Sequence, residues 1–119
     1  MLAAKNRFHG HGSLRFVYSR GKIARSKYFI GKYTHNSRRL EPRVAVVVSK
    51  KVIKSAVKRN RIRRRIYEVI RLEFPKMIPQ SDIVYIVVSS EVLIVSSQEL
   101  KDSIERTLQT LGLYKPTEK

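Results

Sequence analysis

The chain contains no cysteine and no tryptophan, few glycines and prolines, and only nine acidic residues in 119. The absence of cysteine excludes a disulfide framework and any thiolate-held metal, and agrees with a reducing compartment such as a cytoplasm. No apolar run approaches the roughly 20 residues that span a bilayer. The opening Met1-Leu2-Ala3-Ala4-Lys5-Asn6-Arg7 lacks the charged-then-apolar order of a signal peptide. A soluble cytoplasmic protein without a membrane partner is the expectation. Scarcity of acid also argues against chemistry carried by the chain itself. No two carboxylates sit in a general acid–base context, and there is no Ser-His-Asp pattern, phosphate-binding glycine loop or zinc-ligand spacing. The histidines, His9, His11 and His35, fall in expected loops. His9 and His11 flank Gly10 in a glycine setting that binds metal weakly. No catalytic residue and no protein-held metal are expected.

What the chain has in excess is positive charge. Its 26 lysines and arginines give a formal charge of +17. Hydrophobic residues make up 42%, enough for a core, and the length suits one domain, residues 1–119. Net charge of this size opposes compaction by self-repulsion, so a polyanionic partner is implied, nucleic acid first and an anionic membrane second. The charge is also lopsided: residues 1–71 hold 21 of the 26 basic residues and two acids, Glu41 and Glu68.

Along the chain, residues 1–12 read as an N-terminal arm, and Leu14 to Arg20 as a short helix that Ser13 caps and Gly21 ends. Residues 23–34 suit a strand, which divides in two if broken internally. Arg43 to Ser49, rich in valine, suits a buried central strand, and a hairpin from the preceding strand is the economical connection. A helix follows from about Ser55 to Leu72, closed by Pro75 and Pro79. Asp82 to Val88 reads as another buried strand. Ser96 or Ser97 with Glu99 opens a last helix, Gly112 ends it, and residues 113–119 read as a frayed tail. The result is an α+β fold of order α-β-β-(β)-α-β-α, with a central sheet and helices packed on one side.

The helix after Ser55 is the organising feature. Ile62, Ile66, Val69 and Ile70 recur at helical spacing and mark one buried face. Around them, with the lead-in, stand Lys50, Lys51, Lys54, Lys58, Arg59, Arg61, Arg63, Arg64 and Arg65, with Glu68 the single acid before Arg71. A merely solvated helix face carries glutamates at paired spacing; this one does not, so the cations are expected to meet phosphates. Asn60, amid arginines, suits a hydrogen bond to a base or to a neighbouring backbone group. Upstream, Arg15, Phe16, Tyr18, Tyr28, Phe29, Lys32 and Tyr33 interleave aromatics with cations, a pattern suited to single-stranded RNA. Phe29 reads as core, Tyr18 and Tyr33 as exposed.

Ser49-Lys50-Lys51, then Ala56-Val57-Lys58-Arg59-Asn60-Arg61-Ile62-Arg63-Arg64 and Glu68, resembles the signature of the bacterial ribonuclease P protein subunit. Arg43-Val44, Asn6-Arg7-Phe8, the helix end at Tyr18 to Gly21, and Asp82-Ile83-Val84 fall in that family's order. The resemblance, over residues 5–112, implies an assistant to a catalytic RNA that removes the 5′ leader of precursor tRNA with magnesium (Mg2+) held mainly by RNA and substrate. It implies that Lys50, Lys51 and the helix cations contact that RNA. A cleft between helix and sheet takes the leader, with Arg15, Phe16, Tyr18, Lys32 and Tyr33 as its expected contacts. It further implies two parallel strands joined through the basic helix by a left-handed crossover, against the usual hand. No obligate protein partner is implied. The chain departs from the family at Leu14, where phenylalanine is usual, and at Lys32, often tyrosine. Ala45 replaces a frequent glycine, and Tyr67 stands where an arginine is usual. A general RNA chaperone or ribosome-associated RNA-binding protein is the alternative that charge alone supports.

Overall fold

The computed structural model describes residues 21–35, 42–79 and 81–115. The arm and the expected first helix lie outside the described residues. Strands β1 (Lys22–Arg25) and β2 (Phe29–His35) form a hairpin, so the stretch read as one strand divides at residues 26–28. Ser26 makes the turn: its Oγ accepts from the backbone N–H groups of Tyr28 and Phe29. Strand β3 (Arg43–Val47) is followed by helix α1 (Ala56–Glu73), a 3-10 turn at Phe74–Lys76 and strand β4 (Ser81–Val87). A second 3-10 turn at Ser90–Leu93 leads to helix α2 (Ser97–Thr110).

The sheet order is β1-β2-β4-β3, with β2 and β4 antiparallel and β3 and β4 parallel. Two expectations are corrected here. β2 does not turn into β3, because β4 is inserted between them. The valine-rich β3 is therefore an edge strand, and β2 and β4 are central. Composition misled because β3 is covered without being central: Val44, Ala45 and Val46 are buried. The backbone N–H of Val46 donates to the hydroxyl of Tyr67 on α1 at 3.2 Å. A side chain thus occupies a donor that an open edge would expose.

Period-two alternation gives the sheet two unlike faces. One carries Phe29, Val44, Val46, Ile83, Tyr85 and Val87, which share a core with Ile62, Ile66 and Ile70 of α1 and Leu100, Ile104 and Leu108 of α2. Both described helices therefore lie on that face. Phe29 and Tyr85 meet edge to face, centroids 5.0 Å apart. Gly31 lets α2 approach closely: a Cβ there would lie 2.7 Å from Thr107 Cγ2. The other face carries a smaller apolar group, Ala45 and Val84 flanked by Val47 and Ile86.

The helix ends follow their residues. Ser55 accepts from the Lys58 N–H and caps α1, and Ser96 accepts from the Glu99 N–H and caps α2. Pro75, which cannot continue a helix, lies in the 3-10 turn beyond α1. Gly112, at φ +72°, ends α2; its N–H donates to Gln109, and that of Leu113 to Leu108, a Schellman closure. The tail expected from residue 113 is docked as far as Lys115. Ile78 N–H donates to Leu113 and Lys115 N–H to Lys76, while the Tyr114 hydroxyl donates to buried Glu73 at 2.8 Å.

Candidate nucleic-acid interface

After β3, the buried Val48 and Ile53 bracket a turn in which the Ser49 carbonyl accepts from the N–H groups of Val52 and Ile53. Two apolar anchors and two hydrogen bonds fix the bend and leave Lys50, Lys51 and Lys54 exposed on it. α1 then starts with no acid in its first turn, so the positive end of its macrodipole adds to Lys58 without compensation. That arrangement weakens the helix alone and favours an anion beside it. The buried isoleucines hold α1 on the sheet and set the azimuth of every cation around them.

The cations then divide by what they touch. Arg59 is half-buried and folds back on the lead-in, donating to the carbonyls of Ile53 at 3.0 Å and Lys54 at 2.8 Å. Arg63 donates to Asn60 Oδ1 at 2.8 Å, and the Asn60 amide N–H2 has no hydrogen-bond partner among the described residues. Arg65 crosses to the segment before α2, donating to the carbonyls of Val92 at 2.7 Å and Val95 at 2.6 Å. Lys58, Arg61 and Arg64 are exposed, with no hydrogen-bond or ion-pair partner among the described residues. Arg61, Arg64 and Arg65 line a cavity of about 540 Å³ between α1 and α2, with Glu68, Val69, Ser97 and Leu100. Arg59 and Arg65 thus fasten the frame with part of their donors, while Arg61 and Arg64 present whole guanidiniums.

The second group of expected contacts is not assembled in the described residues. Arg15, Phe16 and Tyr18 lie outside them. Lys32 and Tyr33, adjacent in β2, point to opposite faces of the sheet because strand side chains alternate. Tyr33 packs against the core on the helix-bearing face, and burial raises its phenol above the ordinary value. Its expected exposure is corrected to partial burial. Lys32 lies on the other face, opposite Val84 in the register.

Two features went unread in the sequence. Arg43 and Asp82 are register partners on adjacent strands and form a bidentate pair, both contacts 2.8 Å, on the face away from α1 and α2. Asp82, a lone acid opening an apolar strand, was the available signal. Arg25 and Arg106 also converge on one cavity beside α2, and their 81-residue separation gives no periodic signal. Among the described residues no group of three or more histidine, cysteine or acidic side chains stands together to hold a metal, and no helix is long and apolar enough to cross a membrane.

A family model described as Ribonuclease P matches residues 2–112 of the chain. The chain is 36% identical over 111 residues to the ribonuclease P protein component of Clostridium kluyveri, covering 92% of this chain and 96% of that protein. It is 36% identical over 71 residues to the ribonuclease P protein component of a Roseiflexus species. That match takes in 60% of this chain and 58% of the relative, so the chain spans little more than half of that relative's length. Among solved structures, the RNase P protein of Staphylococcus aureus matches with a TM-score of 0.81 at 22% identity, over 92% of this chain and 98% of that one. At that identity the likeness is one of fold.

Proposed function

The chain belongs to the ribonuclease P protein family, and from that premise we propose that it is the protein component of a bacterial ribonuclease P. In this reading it binds a catalytic RNA and the 5′ leader of precursor tRNA, and assists magnesium-dependent removal of the leader. The observation that carries the reading is the state of α1. Its apolar stripe is locked to the sheet, while Lys58, Arg61 and Arg64 stand exposed without partners among the described residues. Cations fixed at set spacing lose little freedom on meeting phosphates, and each contact releases condensed counterions.

The role follows from the parts. The turn carrying Lys50 and Lys51, with Lys54, Lys58, Asn60, Arg61, Arg63 and Arg64, anchors the catalytic RNA. Arg59 and Arg65 hold that surface in shape and offer their remaining donors. The sheet face bearing Lys32 takes the leader, together with Arg15, Phe16 and Tyr18. Positive charge between two RNAs screens their repulsion, so substrate binds at lower magnesium. In this reading the magnesium is held mainly by the catalytic RNA and the substrate, and the chain contributes binding and charge.

Reconstitution tests this. The chain is mixed with its cognate catalytic RNA and a precursor tRNA, and cleavage is followed at low magnesium. Cleavage faster than with RNA alone is expected, together with no cleavage by the chain alone. No gain over RNA alone would sink the proposal.

A further inference from the structure

On the flank of α2 away from the basic helix, a second set of cations converges. The β1–β2 turn and α2 enclose a cavity of about 360 Å³ lined by Arg25, Lys27, Tyr28, Glu99, Arg106 and Thr110 among others, with no alanine, valine, leucine, isoleucine or methionine. The helix separates it from the cavity of Arg61 and Arg64: Ser97 and Leu100 line that one, Glu99 and Arg106 this one. The charges here are unequally engaged. Lys27 Nζ lies 3.4 Å from Glu91 and 5.7 Å from the centre of the Tyr28 ring. Glu99 accepts from the Tyr28 hydroxyl, a contact that pushes the phenol up to about 12. Arg25 and Arg106 are exposed, with no hydrogen-bond or ion-pair partner among the described residues.

We propose that this cavity is a second phosphate-binding site, in which Arg25 and Arg106 clamp an RNA backbone phosphate on the opposite flank of α2 from Arg61 and Arg64. The inference rests on the reading of the chain as an RNA-binding subunit and widens its RNA footprint to both sides of α2. Each guanidinium offers five donors in a planar fork that matches phosphate oxygens. Three cations stand against Glu91 and Glu99, a small positive balance. Such a balance suits a singly charged backbone diester better than a free phosphate, which approaches a dianion at neutral pH and would be repelled by Glu99. Lys27, already paired, contributes field more than contact.

The test measures affinity of the full chain for its cognate catalytic RNA over a range of salt. The variants are R25Q/R106Q, R61Q/R64Q and the control K101Q, on α2 but outside the cavity. Each lost phosphate contact lowers the slope of log affinity against log salt by roughly 0.7–0.9. R25Q/R106Q is expected to lower the slope by about 1 and affinity by about tenfold at low salt, with an unchanged melting temperature. A wild-type slope for R25Q/R106Q alongside a reduced one for R61Q/R64Q overturns the second site and leaves the first intact. Wild-type slopes for both double variants overturn the RNA-binding reading itself. In parallel, inorganic phosphate is titrated against isotope-labelled chain while the amide signals of Ser26 and Thr110 are followed. Shifts there with no slope change in R25Q/R106Q would assign the cavity to free phosphate and overturn the RNA assignment.

Discussion

Helices α1 and α2 are built alike and used differently. Each is capped by serine, each buries three large aliphatic residues against the same sheet face, and both serve one core. Their outer surfaces diverge. On α2, Arg106 apart, polar residues pair within the helix: Lys101 pairs with Glu105, and Gln98 donates to Asp102. On α1 the residues from Lys58 to Arg65 include no acid, and those arginines that find partners take carbonyls or Asn60. A helix that only had to cover the sheet would resemble the stretch of α2 from Gln98 to Glu105. The difference isolates what α1 carries beyond packing, a fixed field of cations.

Equal core roles predict equal core penalties. Ile66→Ala on α1 and Ile104→Ala on α2 should each cost about 2–5 kcal/mol in denaturant titrations. A much smaller loss at Ile66 would mean that α1 is not seated as described. The arginines should then separate. Arg65→Gln removes two hydrogen bonds from a charged donor and should cost about 2 kcal/mol, whereas Arg61→Gln should leave the melting temperature within error. Equal losses from both would erase the distinction between fastening and presenting cations. The sheet approaches α2 closely at Gly31, so Gly31→Ala, which presses on Thr107, should cost about 1–3 kcal/mol. The smallest effect is shared: Ser55→Ala and Ser96→Ala should each lose about 1 kcal/mol of stability.

Much of this was legible in the residues because it is local. The cap at Ser55, a cap at Ser96 or its neighbour Ser97, the isoleucine stripe, the stop at Gly112 and the core position of Phe29 follow from spacing and side-chain chemistry, and the structure places the second cap at Ser96. The strand order was not legible, because insertion of β4 between β2 and β3 is decided by long-range pairing. Valine content signalled that β3 is buried but could not distinguish a central strand from an edge covered by Tyr67. The basic segment was visible as a set, whereas its internal division was not. Arg59 and Arg65 differ from Arg61 and Arg64 only through carbonyls at residues 53, 54, 92 and 95, and just the first two are near in sequence. Tyr33 was read as exposed because aromatics among cations often are, yet the pleat directs it inward and Lys32 outward.

The central claim is that unengaged cations on a rigid α1 make the contact with RNA. The direct measurement is the salt dependence of affinity for the cognate catalytic RNA, with R61Q/R64Q on α1 set against K101Q on α2. Loss of two phosphate contacts predicts a slope shallower by about 1.5 for R61Q/R64Q, with K101Q and both melting temperatures unchanged. An unchanged slope for R61Q/R64Q, or an equal fall for K101Q, would contradict the account.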